Sequence, residues 1–235
     1  MRKTLIRAED RGFANHGWLK TYHTFSFANY FDESRMGFGN IRVFNDDIVE
    51  PDMGFGTHPH DNMEIISIPL SGTMAHKDSQ GNEYIIEKND IQIMSAGSGL
   101  THSEYNYSQE NNLNFLQIWV YPKVYDTKPE YYQKKYNFPL NQLIPIIRPD
   151  EKYETLPIKQ DVYFHFGIFK KDTSVNHLKI QSENGLFLFL IEGKIDVEGE
   201  SLHKRDSIGI ENTAEIEINF KDESKILLIE TPMDR

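Results

Sequence analysis

The sequence predicts an all-β protein, an antiparallel sandwich or barrel, on three observations. Short β-branched and aromatic runs recur along the chain, separated by turn residues. Several alternate with period two, whereas few windows sustain the helical period of about 3.6 residues. The same order of runs recurs on either side of a proline-rich middle, as two copies of one β-unit would produce.

Taken in order, the strand-like runs of the first half are residues 40–44, 64–68, 83–86, 91–94 and 113–120. Those of the second half are 162–166, 186–191, 214–220 and 225–229. Between them, prolines 122, 129, 139, 145, 149 and 157 lie among tyrosines and charges, which reads as a connector because proline is excluded from central strands. Within it, Pro129-Glu-Tyr-Tyr-Gln-Lys-Lys135 is the best candidate for a short helix. The repeat pairs Glu64-Ile-Ile-Ser-Ile-Pro-Leu-Ser-Gly72 and Asn89-Asp-Ile-Gln-Ile-Met94 with Leu186-Phe-Leu-Phe-Leu-Ile-Glu-Gly193 and Arg205-Asp-Ser-Ile-Gly-Ile210. Each copy runs an apolar strand into a glycine, then a hairpin, then an Asp-led alternating strand. The expected division is a first barrel over 1–135 and a second over 136–235.

Composition narrows the chemistry. The chain has 235 residues, enough for two small domains or one large one. It contains no cysteine, so thiolate zinc sites, iron–sulfur clusters, disulfides and thiol catalysis are excluded. Metal binding must therefore use His, carboxylate and water. With 36 acidic against 25 basic residues the net charge is −11, which opposes nucleic-acid binding. The short basic pairs, such as Lys134-Lys135, Lys170-Lys171 and Lys204-Arg205, read as solvated faces. No run approaches the roughly 18–20 apolar residues that cross a bilayer, so no membrane is expected. Met1-Arg-Lys-Thr-Leu-Ile-Arg7 turns charged before an apolar segment develops, and a cytoplasmic location is the default expectation.

Two pairs of metal-ligand type stand out. His58-Pro-His60 follows the glycine-rich Gly54-Phe-Gly56, and His102-Ser-Glu104 follows Gly97-Ser-Gly99. On a strand, i and i+2 side chains share a face. If the two strands are neighbours around a barrel interior, three imidazoles and a carboxylate converge without backbone distortion. Either pair alone is more often surface polarity or a hydrogen-bonded core pair. Two such pairs, each beside a glycine turn, point to a metal centre of His58, His60, His102 and Glu104.

The spacing His58-x-His60-x3-Glu64-x7-Gly72 resembles the first cupin motif, and Gly97-x-Gly99-x2-His102-x3-Asn106 the second. The departures are one extra residue before Gly72, a leading glycine closer to the histidines, Gly97 in place of a usual proline, and Asn89 where a turn glycine is common. Asn tolerates the left-handed conformation, so that turn survives. Longer stretches are similar to the pirin family: the segment from Trp18 to Asp32, Gly37-Phe-Gly-Asn-Ile-Arg-Val-Phe-Asn-Asp-Asp47, His58-Pro-His60, Met94-Ser-Ala-Gly-Ser-Gly-Leu-Thr-His-Ser-Glu104 and Leu116-Gln-Ile-Trp-Val-Tyr-Pro122. The match runs from about Arg11 to Gln133, and the second half resembles the family's C-terminal cupin only loosely.

The resemblance implies two tandem cupin (jelly-roll) barrels, a bicupin, with one divalent metal in the first and none in the second. It carries ligand roles onto His58, His60, His102 and Glu104, and it leaves Glu64, at the usual cupin carboxylate position, outside the ligand set. Counting back from Gly193 puts Lys179 and Gln181 at the positions of His58 and His60; His165, His177 and His203 read as core or surface residues. The ligand types suit Fe(II), Mn(II), Co(II), Ni(II), Cu(II) or Zn(II), and the family points to iron. The implied activity is a quercetin (flavonol) 2,3-dioxygenase using O2 and a small aromatic substrate; a carboxylate beside the ion could take the substrate hydroxyl's proton, which makes Glu104 the expected catalytic base. His23, Phe25, Phe27, Phe38, Phe44 and Phe55 are candidate cavity walls. Alternatives are a metal-dependent regulator that contacts a protein partner, and a cupin dioxygenase for another enol or catechol. A monomer is the simplest expectation for a chain with two barrels.

Overall fold

The computed structural model describes residues 1–150 and 152–234. Among them the regular structure is strand, apart from single-turn 3-10 helices at Ala8–Asp10 and Lys152–Glu154. The strands form two copies of one unit, each a seven-stranded sheet with a four-stranded one. In the first copy the larger sheet is ordered Glu130–Lys135, Asp90–Ser95, Glu64–Ser71, Leu113–Val120, Ile41–Val49, Leu19–His23 and Gly12–Asn15. The smaller is Gly54–His60, Leu100–Asn106, Met74–Asp78 and Glu83–Ile86. In the second copy the larger sheet centres on Ser207–Glu211, Gly185–Glu192, Ser224–Thr231 and Tyr163–Phe169, and the smaller is Thr173–Leu178, Glu215–Phe220, Lys194–Val197 and Glu200–His203.

Strand alternation decides which side chains enter which core. Leu186, Leu188 and Leu190 point into the second barrel, while Phe187, Phe189 and Ile191 point into a core shared by the two copies. In the first copy Ile66 and Ile68 enter the shared core, and Ser67 between them faces the barrel interior. Phe44 packs on Phe187 and Phe189 with ring centroids 5.3 and 4.7 Å apart, which ties the two barrels together. The repeat read from the sequence also survives at its turns. Gly72 and Gly193 both hold positive φ, and a Cβ on either would strike the backbone of a neighbouring segment. Asn89 adopts φ +72, the left-handed turn expected of it.

Three local expectations differ from the fold. Glu130–Lys135 is a strand paired with Asp90–Ser95, not a helix. Its alternation explains this: Tyr131 and Gln133 share one face and are hydrogen-bonded at 2.9 Å, while Tyr132 packs on the shared core. The proline-rich connector likewise contains the strand Gln142–Arg148, whose Pro145 sits where the ladder shifts register. Finally, Arg2–Ile6 pairs with Ser207–Glu211 and so borders the second copy's larger sheet. Leu5 packs against the second barrel's core and Ile6 against the shared core; Arg7 Nη1 donates to Asp206 Oδ2 at 2.8 Å.

Candidate metal centre

The strands Gly54–His60 and Leu100–Asn106 are antiparallel neighbours, and the register sets His58 directly across from His102. The i, i+2 spacing brings His60 onto the same face. Ring centroids lie 4.5 Å apart for His58 and His102, 4.9 Å for His60 and His102, and 4.8 Å for His58 and His60. One nitrogen from each of the three falls within 4.8 Å of the others. Glu104 follows His102 across a bulge in the ladder, and its carboxylate groups with His102 and His76 within the same span. His76 was not among the candidates read from the sequence. The available signal was His76-x-Asp78, a third i, i+2 pair, on the adjoining strand Met74–Asp78, whose Nε2 and Oδ2 are 3.2 Å apart.

Electrostatics favour neutral imidazoles, the form that binds a metal. Burial, reinforced by the neighbouring histidines, lowers His60 to about 4 and His102 to about 3. His58 Nδ1 lies 2.7 Å from the Gly56 carbonyl oxygen, so Nδ1–H donates there and Nε2 is left free to ligate. His102 is 1% exposed, and neither ring nitrogen has a hydrogen-bond partner among the described residues. Two unpartnered nitrogens on a buried ring are costly unless something binds them. The donor set therefore fits a divalent ion of nitrogen and oxygen preference.

Glu104 is 2% exposed and held from two sides. Ser67 Oγ donates to Oε1 at 2.9 Å and Gln117 Nε2 donates to Oε2 at 2.6 Å. Glu64 points the other way. Ser67 faces the centre, so Glu64, three positions earlier on the strand, faces the opposite side. There it accepts from Ser95 Oγ at 2.8 Å and from the Lys159 backbone N–H at 3.2 Å.

Above the imidazoles lies a cavity of about 580 Å³, walled by Trp18, Phe27, Tyr30, Phe55 and Trp119 with His58 and His60 at its edge. Trp119 meets His60 edge-on at 4.8 Å. Of the six expected wall residues, His23, Phe27 and Phe55 line it. Phe25, Phe38 and Phe44 belong to the core between the barrels; Phe44 is turned there by alternation along Ile41–Val49, whereas Phe25 and Phe38 lie outside the strands. His23 contacts Asn45 at 2.9 Å and no candidate ligand.

The second barrel has a different interior. Its strand Thr173–Leu178 stops before Lys179 and Gln181, which belong to the following connection; the count back from Gly193 therefore slips. The residue across the equivalent ladder is His177, opposite Ile216 as His58 is opposite His102. His177 stacks edge-on against His165 at 4.9 Å, with Glu230 Oε2 3.8 Å away. Glu230 is committed elsewhere, accepting from the Ile180 and Gln181 backbone N–H groups and from Asn184 Nδ2. His203 is exposed. Among the described residues, both groups able to hold a metal lie in the first barrel.

A family model described as Pirin matches residues 6–120, and one described as Quercetinase C-terminal cupin domain matches 146–231. The chain is 38% identical to a quercetin 2,3-dioxygenase of Escherichia coli K12, over 97% of this chain and 98% of that one. The crystal structure of YhhW from Escherichia coli superposes with a TM-score of 0.96 at 37% identity, covering 100% of both chains. A second structure, described as bacterial pirin YhhW in complex with nickel(II), gives 0.94 at 37% identity over 98% of this chain and 99% of that one.

Proposed function

The chain belongs to the pirin family of bicupin proteins, and from that premise we propose that it is a single-metal dioxygenase for a flavonol such as quercetin. The observation that carries the reading is the convergence of three imidazoles at the edge of an aromatic-walled cavity. His58, His60, His102 and Glu104 are the residues that hold the ion, which we assign as Fe(II). When bound, the ion supplies Lewis acidity toward an enolic hydroxyl and redox access to O2, neither of which the side chains provide. The activity and the nickel(II) complex of the Escherichia coli relatives support a divalent-metal oxygenase reading here.

The side chains divide the remaining work. Burial keeps His60 and His102 unprotonated at neutral pH, so the ligands are ready without a proton to lose. Glu104 accepts the proton of the substrate hydroxyl, and Ser67 and Gln117 aim its two oxygens. Trp119, Phe27 and Phe55 pack on the planar rings and exclude water from the reacting face. The ring opens with insertion of both oxygen atoms of O2.

The test is to load the protein with Fe(II) anaerobically, add O2 and quercetin, and follow flavonol absorbance together with O2 uptake. Turnover is expected, and His58→Ala is expected to abolish it. Glu104→Gln that keeps its metal should lose most turnover; full activity in that variant would remove the base assignment. Absence of turnover with any first-row metal, with metal-dependent capture of a protein partner, would replace the oxygenase reading by a regulatory one.

A further inference from the structure

The cavity has a second polar surface that the metal centre leaves without a role. Asn45 and Asp47 line it from the strand Ile41–Val49, and the register sets His23 across from Asn45 and Thr21 across from Asp47. His23 Nδ1 donates to Asn45 Oδ1 at 2.9 Å, which pins both groups. Asp47 is different. It is 2% exposed, Thr21 faces it across the ladder, and Oδ1 has no partner among the described residues. A buried carboxyl oxygen without a donor costs stability, so it persists where a ligand supplies the missing bond. The barrel itself does not need it: matching the ladders places Gly167 of the second copy at this position, since Asp47 pairs with Phe115 as Gly167 pairs with Ile226.

We propose that Asp47, backed by Thr21 and the His23–Asn45 pair, is the residue that selects the substrate, by hydrogen-bonding a ring hydroxyl remote from the oxygens that reach the imidazoles. The inference rests on the cavity being the substrate site of the proposed oxygenase. It makes the preferred ligand a polyhydroxylated aromatic enol rather than one carrying the metal-binding oxygens alone. Burial, with the charges of Asp46 and Glu104 adding and the Thr21 hydroxyl opposing, pushes the Asp47 carboxyl up to about 7. Near neutrality it can therefore donate to a phenolic oxygen or accept from a phenol, and either pairing completes Oδ1.

The experiment is anaerobic binding to the nickel(II)-loaded protein, followed by tryptophan fluorescence, with two ligands. Quercetin carries hydroxyls on both ring systems, whereas 3-hydroxyflavone has only the adjacent hydroxyl and carbonyl. Wild type is expected to bind quercetin about tenfold more tightly, and Asp47→Ala to erase that preference while leaving 3-hydroxyflavone within about twofold. Asp47→Asn, which keeps a donor and an acceptor in place, is expected to retain most of the preference. Equal losses for both ligands, or no loss for either, would overturn the inference and leave the oxygenase reading standing. So would a wild type that binds 3-hydroxyflavone as tightly as quercetin, a result that needs no variant to fold. A wild type that binds neither ligand would overturn the flavonol reading, and this inference with it.

Discussion

The two barrels share a ladder and differ almost completely in what they enclose. Matching the paired strands from their common glycines sets Ser67 against Leu188, His76 against Val197 and His102 against Ile216. It also sets Glu104 against Ile218 and Gln117 against Leu228. Five polar positions of the first interior are thus aliphatic in the second. One copy gives its interior to a cluster of metal-ligand-type side chains and the other to packing. The difference shows how a fold can carry a costly polar centre: a carboxylate and imidazoles taken out of water destabilise a small barrel. The apolar core of the second copy, and the core shared by the two copies through Phe44, Phe187 and Phe189, offset that loss.

Transplanting polarity is the harshest way to break this comparison. Ile218→Glu places a carboxylate where no Ser67 or Gln117 equivalent exists to receive it. We expect it to cost about 4 kcal/mol or to prevent folding, read by urea denaturation. The reverse asymmetry appears with metal: at about 100-fold excess over its dissociation constant, an ion should stabilise wild type by about 2.7 kcal/mol and His102→Ala by close to nothing. Calorimetric melting with and without metal measures both. A gain retained in His102→Ala would move the site out of the first barrel.

Acid sharpens the comparison further. Burial, with the charges of His177 and Arg148 adding, lowers His165 to about 3. A histidine whose folded value is depressed contributes stability above its unfolded value near 6.5, and loses it as pH falls from there toward 3. Metal-free wild type should therefore lose about 1.6 kcal/mol through this group between pH 6.5 and pH 5. His165→Leu should lose correspondingly less over the same interval, as denaturant midpoints would report. The smallest effect falls on the support of Glu104. Ser67→Ala removes one of its two donors and should weaken metal binding about tenfold without changing the fold, measured by competition with a chelator.

What could be read from the sequence follows the same physics. His58, His60, His102 and Glu104 announced themselves because period-two spacing lies within a single strand. Ser67, His76 and Gln117 did not, because their meeting with Glu104 depends on which strands become neighbours. The many strands and the two copies were visible in alternation and in Gly72 and Gly193. Glu130–Lys135 was not, since two adjacent tyrosines among charges suit a helix turn as well as an edge strand. The His177 position was lost to a count that assumed equal loop lengths, and the six-residue wall was half right because aromatic type does not say which side of the barrel wall a ring packs on.

The pairing of Arg2–Ile6 with Ser207–Glu211 also sets an order of events during synthesis. Leu5 and Ile208 sit opposite each other although about 200 residues separate them. The segment is synthesised about 200 residues ahead of the strand on which it docks. Such a long-range contact adds to the loop-closure entropy met before folding can be rewarded. The first barrel can close around its histidines while that strand waits, and a late, slow phase should belong to the second barrel's edge.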